Sequence, residues 1–166
     1  RLVDLVNEGI DCAIRVGELT DSSLVSIRLA ENRRVVVASP DYLARQDTPR
    51  TLADLARHNC LSLGQQRGWL FRDGAENVSI KVSGLLECND GAVLHEWALA
   101  GRGLAWRSLW EVGEDLQRGV LVSVLDEFAA LPTGIHAVFP QRKYLPLRVR
   151  LLIDHLKHHY GNEAYW

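Results

Sequence analysis

The sequence of 166 residues has no methionine, few cysteines and no excess of positive charge, and each shortage excludes something. Cys12, Cys60 and Cys88 are odd in number, widely separated and in no CxxC pair, so they suit neither a disulfide framework nor a zinc knuckle. A reducing cytoplasm is the natural setting for them. A formal net charge of −2 gives no overall attraction to nucleic acid, so any action on DNA requires another segment. No stretch approaches the roughly 18 uninterrupted apolar residues of a membrane helix, which argues against a membrane role. Enzyme signatures are missing too. There is no GxSxG elbow, HExxH helix or GxxxxGK[ST] loop, and Gly101-Arg102-Gly103 lacks the third glycine of a dinucleotide fingerprint. The chain therefore reads as a non-enzyme without cofactor or metal. With no methionine and with Arg1 falling inside a helical pattern, the natural N-terminus is expected to lie upstream.

What remains is an ordinary globular composition, 47% apolar and 24% charged, long enough to bury a sizeable core. Leu2, Leu5 and Val6 at helical spacing before Gly9 predict a short helix with a glycine C-cap. A strand from Asp11 to Val16 comes next. Val25, Ile27 and Leu29 alternate within Leu24 to Ala30 and predict a strand with one buried face; Val35-Val36-Val37 predicts another strand. Ser39 before Pro40 starts a helix, and Thr51 with Asp54 resembles a capping box opening Leu52 to Arg57. Trp69 to Ser83 reads as a hairpin turning at Arg72-Asp73-Gly74, expected on a sheet edge. Asn89-Asp90-Gly91 caps a helix from about Ala92 to Ala100 that Gly101 ends. Then come a strand at Leu104-Ala105-Trp106, a helix near Leu109 to Leu116, and strands around Leu121 to Leu125 and Ile135 to Phe139. The last helix begins at Pro146, with Val149, Leu152, Ile153, Leu156 and Tyr160 as its apolar stripe.

Strands alternating with short helices define an α/β chain. One hairpin-bearing block interrupts elements that would otherwise adjoin, which divides the chain into residues 1–32, 33–125 and 126–166, the last returning to the first.

Several segments in order carry a resemblance: VDLVNEGIDCAIRVGEL, DSSLVSIRLAENRRVVVASPDYLAR, TPRTLADLARHNCL and ECNDGAVLHEWALAGRGLAW, continuing through EDLQRGVLVSVL and HAVFPQRKYLPLRVRLLIDHL. Together they resemble the C-terminal effector-binding domain of LysR-type transcriptional regulators over nearly the whole chain. The resemblance implies a two-lobed, type 2 periplasmic-binding-protein-like fold with mixed sheets, its first lobe incomplete in this sequence. It implies a small-molecule effector in the interlobe cleft, pairing of the domain with a second copy, and contact with DNA only through an absent N-terminal helix-turn-helix domain. The alternative is a solute-binding protein of similar fold serving a transporter. One departure is Trp106-Arg107, where many relatives continue with a small apolar residue and a proline. Arg107 could meet an anionic ligand or be a solvated surface arginine.

The effector contacts expected are Arg15, Gly17 and Glu18 at the end of a strand and Cys88, Asn89 and Asp90 at the start of a helix. Free backbone N–H groups and the helix dipole attract anions there, although Asn89 or Asp90 could simply cap its own helix. A guanidinium can grip a carboxylate with two hydrogen bonds; Arg15 could equally pair with Asp11, Glu18 or Asp21. His155 and His159, one turn apart, could hold a metal or could serve only the dipole of the helix end. Trp69, Phe71, Trp97, Trp106 and Trp110 could line an aromatic pocket or anchor the core.

Overall fold

A computed structural model describes Leu5 and residues 9–16, 24–64, 68–140 and 146–160. The chain divides into two compact units, Arg1–Asn32 with Pro132–Trp166, and Arg33–Leu131. The first unit opens with β1 (Ala13–Val16) and β2 (Leu24–Asn32). The second holds β3 (Arg34–Ala38), α1 (Pro40–Gln46), a 3-10 turn at Leu52–Arg57, β4 (Cys60–Leu63), β5 (Gly68–Asp73), β6 (Glu76–Lys81) and β7 (Glu87–Cys88). It continues with α2 (Gly91–Leu99), β8 (Leu104–Ser108), α3 (Leu109–Gln117), β9 (Val122–Val124) and a 3-10 turn at Asp126–Phe128. The chain then re-enters the first unit with β10 (Thr133–Pro140) and α4 (Leu147–Tyr160). The return falls after Leu131 because Phe128 packs on the second unit's core and Ala129 bridges to Phe71.

In the first unit an antiparallel sheet of order β1-β10-β2 carries α4. Val149, Ile153 and Leu156 of α4 pack on Leu29, Ala137 and Phe139, with Cys12 and Ile27 alongside. Two members of the expected apolar sets lie elsewhere. Leu152 is exposed, turned off the packed side of the helix, and Val25 lies beyond the packed cluster and is exposed as well. Tyr160 closes α4, but its side chain lies outside the described part of the structure, as does most of the helix expected at residues 2–8. Where that helix would end, Gly9 has φ +66° and the Ile10 N–H donates to the Leu5 carbonyl at 3.0 Å, the pattern of a glycine C-cap.

The second unit is built on a mixed sheet of order β7-β4-β8-β3-β9, with β4 parallel to β7 and β8, and β3 antiparallel to β8 and β9. Successive residues point to opposite faces of a strand. Val36, Cys60 and Leu104 therefore enter one core cluster while their neighbours Val37, Leu61 and Ala105 enter another. Burial on both faces explains why Val35-Val36-Val37 reads as a continuous apolar run rather than an alternation. The helices of this unit are locally specified. The Ser39 hydroxyl accepts the Tyr42 N–H at 3.2 Å with Pro40 in the first turn. Thr51 with Asp54 forms a complete capping box, although the element it opens is a 3-10 turn. The helix α2 ends at Gly101, where φ is +69° and the Arg102 N–H donates to the Trp97 carbonyl at 2.9 Å.

The hairpin corrects one expectation. Among the described residues, strands β5 and β6 form a separate two-stranded sheet, turning at Gly74-Ala75 between the paired Asp73 and Glu76. What holds it is side-chain burial: Trp69 and Phe71 enter the core, with one isolated bridge from Phe71 to Ala129. No helix among the described residues is long and apolar enough to cross a membrane.

Candidate functional site

The start of α2 gathers Cys88, Asn89 and Asp90, all in the second unit. β4 pairs with β7 through Leu63 and Cys88, which delivers the chain to the helix start. Of the two possible caps, Asp90 takes the role: its Oδ1 accepts the Ala92 N–H at 2.8 Å. Cys88 is half-buried and its thiol donates to the Asp90 carbonyl at 3.2 Å; Asn89 is exposed. Arg15 belongs to the first unit, half-buried in β1 across from His136. One of its expected partners, Asp11, accepts from Arg148 at 2.6 Å. Gly17 and Glu18 lie outside the described residues, as does Asp21.

Arg107 was not among the expected contacts, and it is not the solvated surface arginine that was one expectation for it. It lies near the end of β8 with only 7% of its surface exposed. Its guanidinium lies against Gly91, the first residue of α2: a Cβ at that glycine would sit 3.1 Å from Nη2 and 3.4 Å from Nη1. Nη2 donates to Glu111 Oε1 at 2.9 Å, and buried Nε has no partner among the described residues. The other oxygen of Glu111 accepts the Ser108 N–H at 3.1 Å and completes the capping box of α3. A second arginine shares this neighbourhood. Arg34, paired with Ser108 across β3 and β8, holds its guanidinium 4.4 Å from the centre of the Trp106 ring. Burial lowers the pKa of Arg34 from its ordinary value; Glu111 opposes that and Arg107 adds to it. The sequence did hold one signal for this cluster, since Arg107 and Glu111 are spaced to meet across the start of a helix.

The remaining candidates divide plainly. Trp69 and Phe71 are core, Trp69 stacking on Trp106 at 6.5 Å; Trp97, on α2, packs partly buried against the second core cluster and Trp110 is exposed. His155 and His159 rings stand 4.3 Å apart, and among the described residues no group of three or more His, Cys, Asp or Glu is placed to hold a metal. All three cysteines are free, and burial pushes the Cys60 thiol up to about 12. A cavity of about 520 Å³ in the second unit, which the sequence did not announce, is lined by Tyr42, Arg45, Arg57, Asn59 and Arg102. Arg45 is engaged by Asp41 and the Gly101 carbonyl, and Arg57 by Asp54.

Comparison with known proteins gives the family. Residues 1–161 match the LysR substrate binding domain. The HTH-type transcriptional regulator DmlR of Escherichia coli K12 is 37% identical over 165 residues, covering 97% of this chain and 53% of DmlR. The HTH-type transcriptional activator TtdR of the same strain is 36% identical over 160 residues, covering 94% and 51%. The structure of CrgA, a LysR-type transcriptional regulator from Neisseria meningitidis, superposes with a TM-score of 0.84 at 33% identity, covering 95% of this chain and 55% of that one. The chain belongs to the LysR substrate-binding domain family; it is an effector-binding domain of the LysR type, with that family's periplasmic-binding-protein-like fold. It spans about half the length of the curated relatives it matches. Those relatives are transcriptional regulators, and the solute-binding alternative finds no support among them.

Proposed function

We propose that this chain senses a small polar molecule and that its occupancy controls DNA binding by a helix-turn-helix segment of the full-length regulator. The observation that carries the reading is the start of α2, where Asp90 takes the Ala92 N–H and leaves other donors of the first turn to a ligand. Cys88, Asn89 and Asp90 are the proposed contacts in the second unit, and Arg15, Gly17 and Glu18 in the first. The regulator works in the cytoplasm, pairs with a second copy of itself and performs no catalysis. Sensing requires that the effector bind one arrangement of the regulator more tightly than another, because a ligand of equal affinity for both shifts nothing.

A thermal-shift screen of small organic acids and aromatic compounds tests this, since a ligand of the folded state stabilises by about 2.7 kcal/mol at a hundredfold excess over its Kd. Hits are then mapped by amide resonances and tested on Arg15→Ala. The expected result is a hit that perturbs residues 88–92 and binds Arg15→Ala more weakly with little change in stability. A hit that leaves residues 88–92 unmoved would sink the assignment of the site. In the full-length regulator the same ligand should alter affinity for promoter DNA, whereas the 166-residue chain alone should show no sequence-specific binding.

A further inference from the structure

We propose that the ligand taken at the start of α2 is a small carboxylate and that Arg107 is the residue that selects it. This rests on the sensing assignment of that helix start and adds the chemical class of the ligand and the side chain that recognises it.

A guanidinium withdrawn from water is unfavourable unless acceptors replace the water it has lost. Arg107 is only 7% exposed, yet Glu111 is its only acceptor among the described residues and Nε has none. Both oxygens of Glu111 are already engaged, the first by Arg107 and the second by the Ser108 N–H. Its single negative charge also faces Arg34, which is held over Trp106 and has no carboxylate partner of its own among the described residues. Two guanidiniums thus share one carboxylate. The placement sharpens the imbalance, since Arg107 lies against the first residue of α2, where the helix dipole is itself positive. Asp90 offers little relief: it is exposed and its Oδ1 is committed to Ala92.

An anion at Gly91 answers all of these at once. It gives an acceptor to Nη1 and Nη2, the guanidinium nitrogens nearest Gly91, takes the open N–H donors of the first turn, and adds the negative charge that the cluster lacks. A planar carboxylate matches the flat fork of arginine in a way that a spherical ion does not. Glycine at position 91 lets the guanidinium lie directly against the helix start, because a Cβ there would stand 3.1 Å from Nη2.

The test is a ¹⁵N NMR titration of the chain with acetate and succinate, with acetamide and succinamide as neutral matches and with inorganic phosphate, all at one ionic strength. The carboxylates should shift the Arg107 Nε–H and the amides of Gly91 and Ala92, and the neutral compounds should not. Arg107→Gln should weaken succinate binding at least tenfold, Arg107→Lys should weaken it less, and Arg45→Gln should leave it unchanged. If Arg107→Gln does not fold, the Nε–H titration of the parent decides. Equal binding by succinate and succinamide, unaltered succinate affinity in Arg107→Gln, or binding of phosphate with no response to any carboxylate would each overturn the proposal. A neutral compound that perturbs residues 88–92 but not Arg107 leaves the sensing site standing and removes the carboxylate; no response at those residues to any compound removes both.

Discussion

The Tyr42 hydroxyl lies 3.0 Å from His58 Nδ1 and also accepts the Asn59 N–H at 3.1 Å, so it ties α1 to the chain entering β4. With the imidazole neutral and Nδ1 unprotonated, the hydroxyl can donate to Nδ1 while it accepts from Asn59. Burial lowers the pKa of His58, with Arg57 acting in the same direction and Asp54 and Asp47 against it. In the unfolded chain the ring protonates near its ordinary value of about 6.5. The unfolded state therefore binds more protons as pH falls, so the contribution is complete above that value and is lost as pH drops towards the lower folded value. His58→Asn keeps an acceptor for the hydroxyl without titrating. Thermal unfolding should show the parent losing more stability than the variant between about pH 7 and about pH 5; parallel curves would mean His58 does not contribute.

Leu61 and Leu70 offer a contrast within one unit. Leu61 is 1% exposed in the core cluster beneath α2, and Leu70, on the outer face of the hairpin, is 50% exposed. Leu61→Ala should cost about 2–5 kcal/mol in urea unfolding, because it leaves a cavity in a packed core. Leu70→Ala should stay within about 0.5 kcal/mol.

Gly101 is held by its backbone and by its neighbours. Its φ is +69°, and a Cβ there would approach Arg45 Nη2 and Ser39 Oγ, both at 3.1 Å. The left-handed conformation alone costs an L-residue about 1–2 kcal/mol. Gly101→Ala should lose at least that much, measured by denaturant midpoint, and a neutral result would show that the turn relaxes.

Legibility in the sequence depended on the range of the interaction. Ser39, the Thr51 and Asp54 pair, Asp90 and Gly101 act on backbone groups within a few residues, and each was readable because the chemistry is local. The alternation of Ile27 and Leu29 marked the packed side of β2, but not where the cluster ends, so Val25 was misplaced. The separate sheet of the hairpin was also hidden, because which strands pair is settled by distant contacts such as Phe71 with Ala129. Arg107 is the most instructive miss. Arginine defaults to the surface, and the burial of this one depends on tertiary neighbours such as the start of α2, which the sequence does not show. Self-association was likewise expected from the resemblance; light scattering at tens of micromolar should show a dimer or larger species, and monomer alone would count against it.

Arg107 and Glu111 should respond unequally to truncation. Arg107 is 7% exposed and Glu111 26%, so the two charges are not equally able to recover water. Glu111→Ala strands a buried guanidinium and removes the acceptor of the Ser108 N–H, and losses of about 3 kcal/mol are typical for breaking such a pair from one side. Glu111→Gln keeps the cap and loses only the charge, so its cost should be smaller. Arg107→Met removes the charge that is hardest to hydrate and fills much of the same space, leaving Glu111 with Ser108 and partial access to water. It should therefore be the mildest of the three, even neutral, as replacement of a buried ion by an apolar group of similar volume often is. Urea unfolding of the three variants at one pH gives the order directly. If Arg107→Met proves as costly as Glu111→Ala, the guanidinium is a fully satisfied structural ion, contrary to its unpartnered Nε.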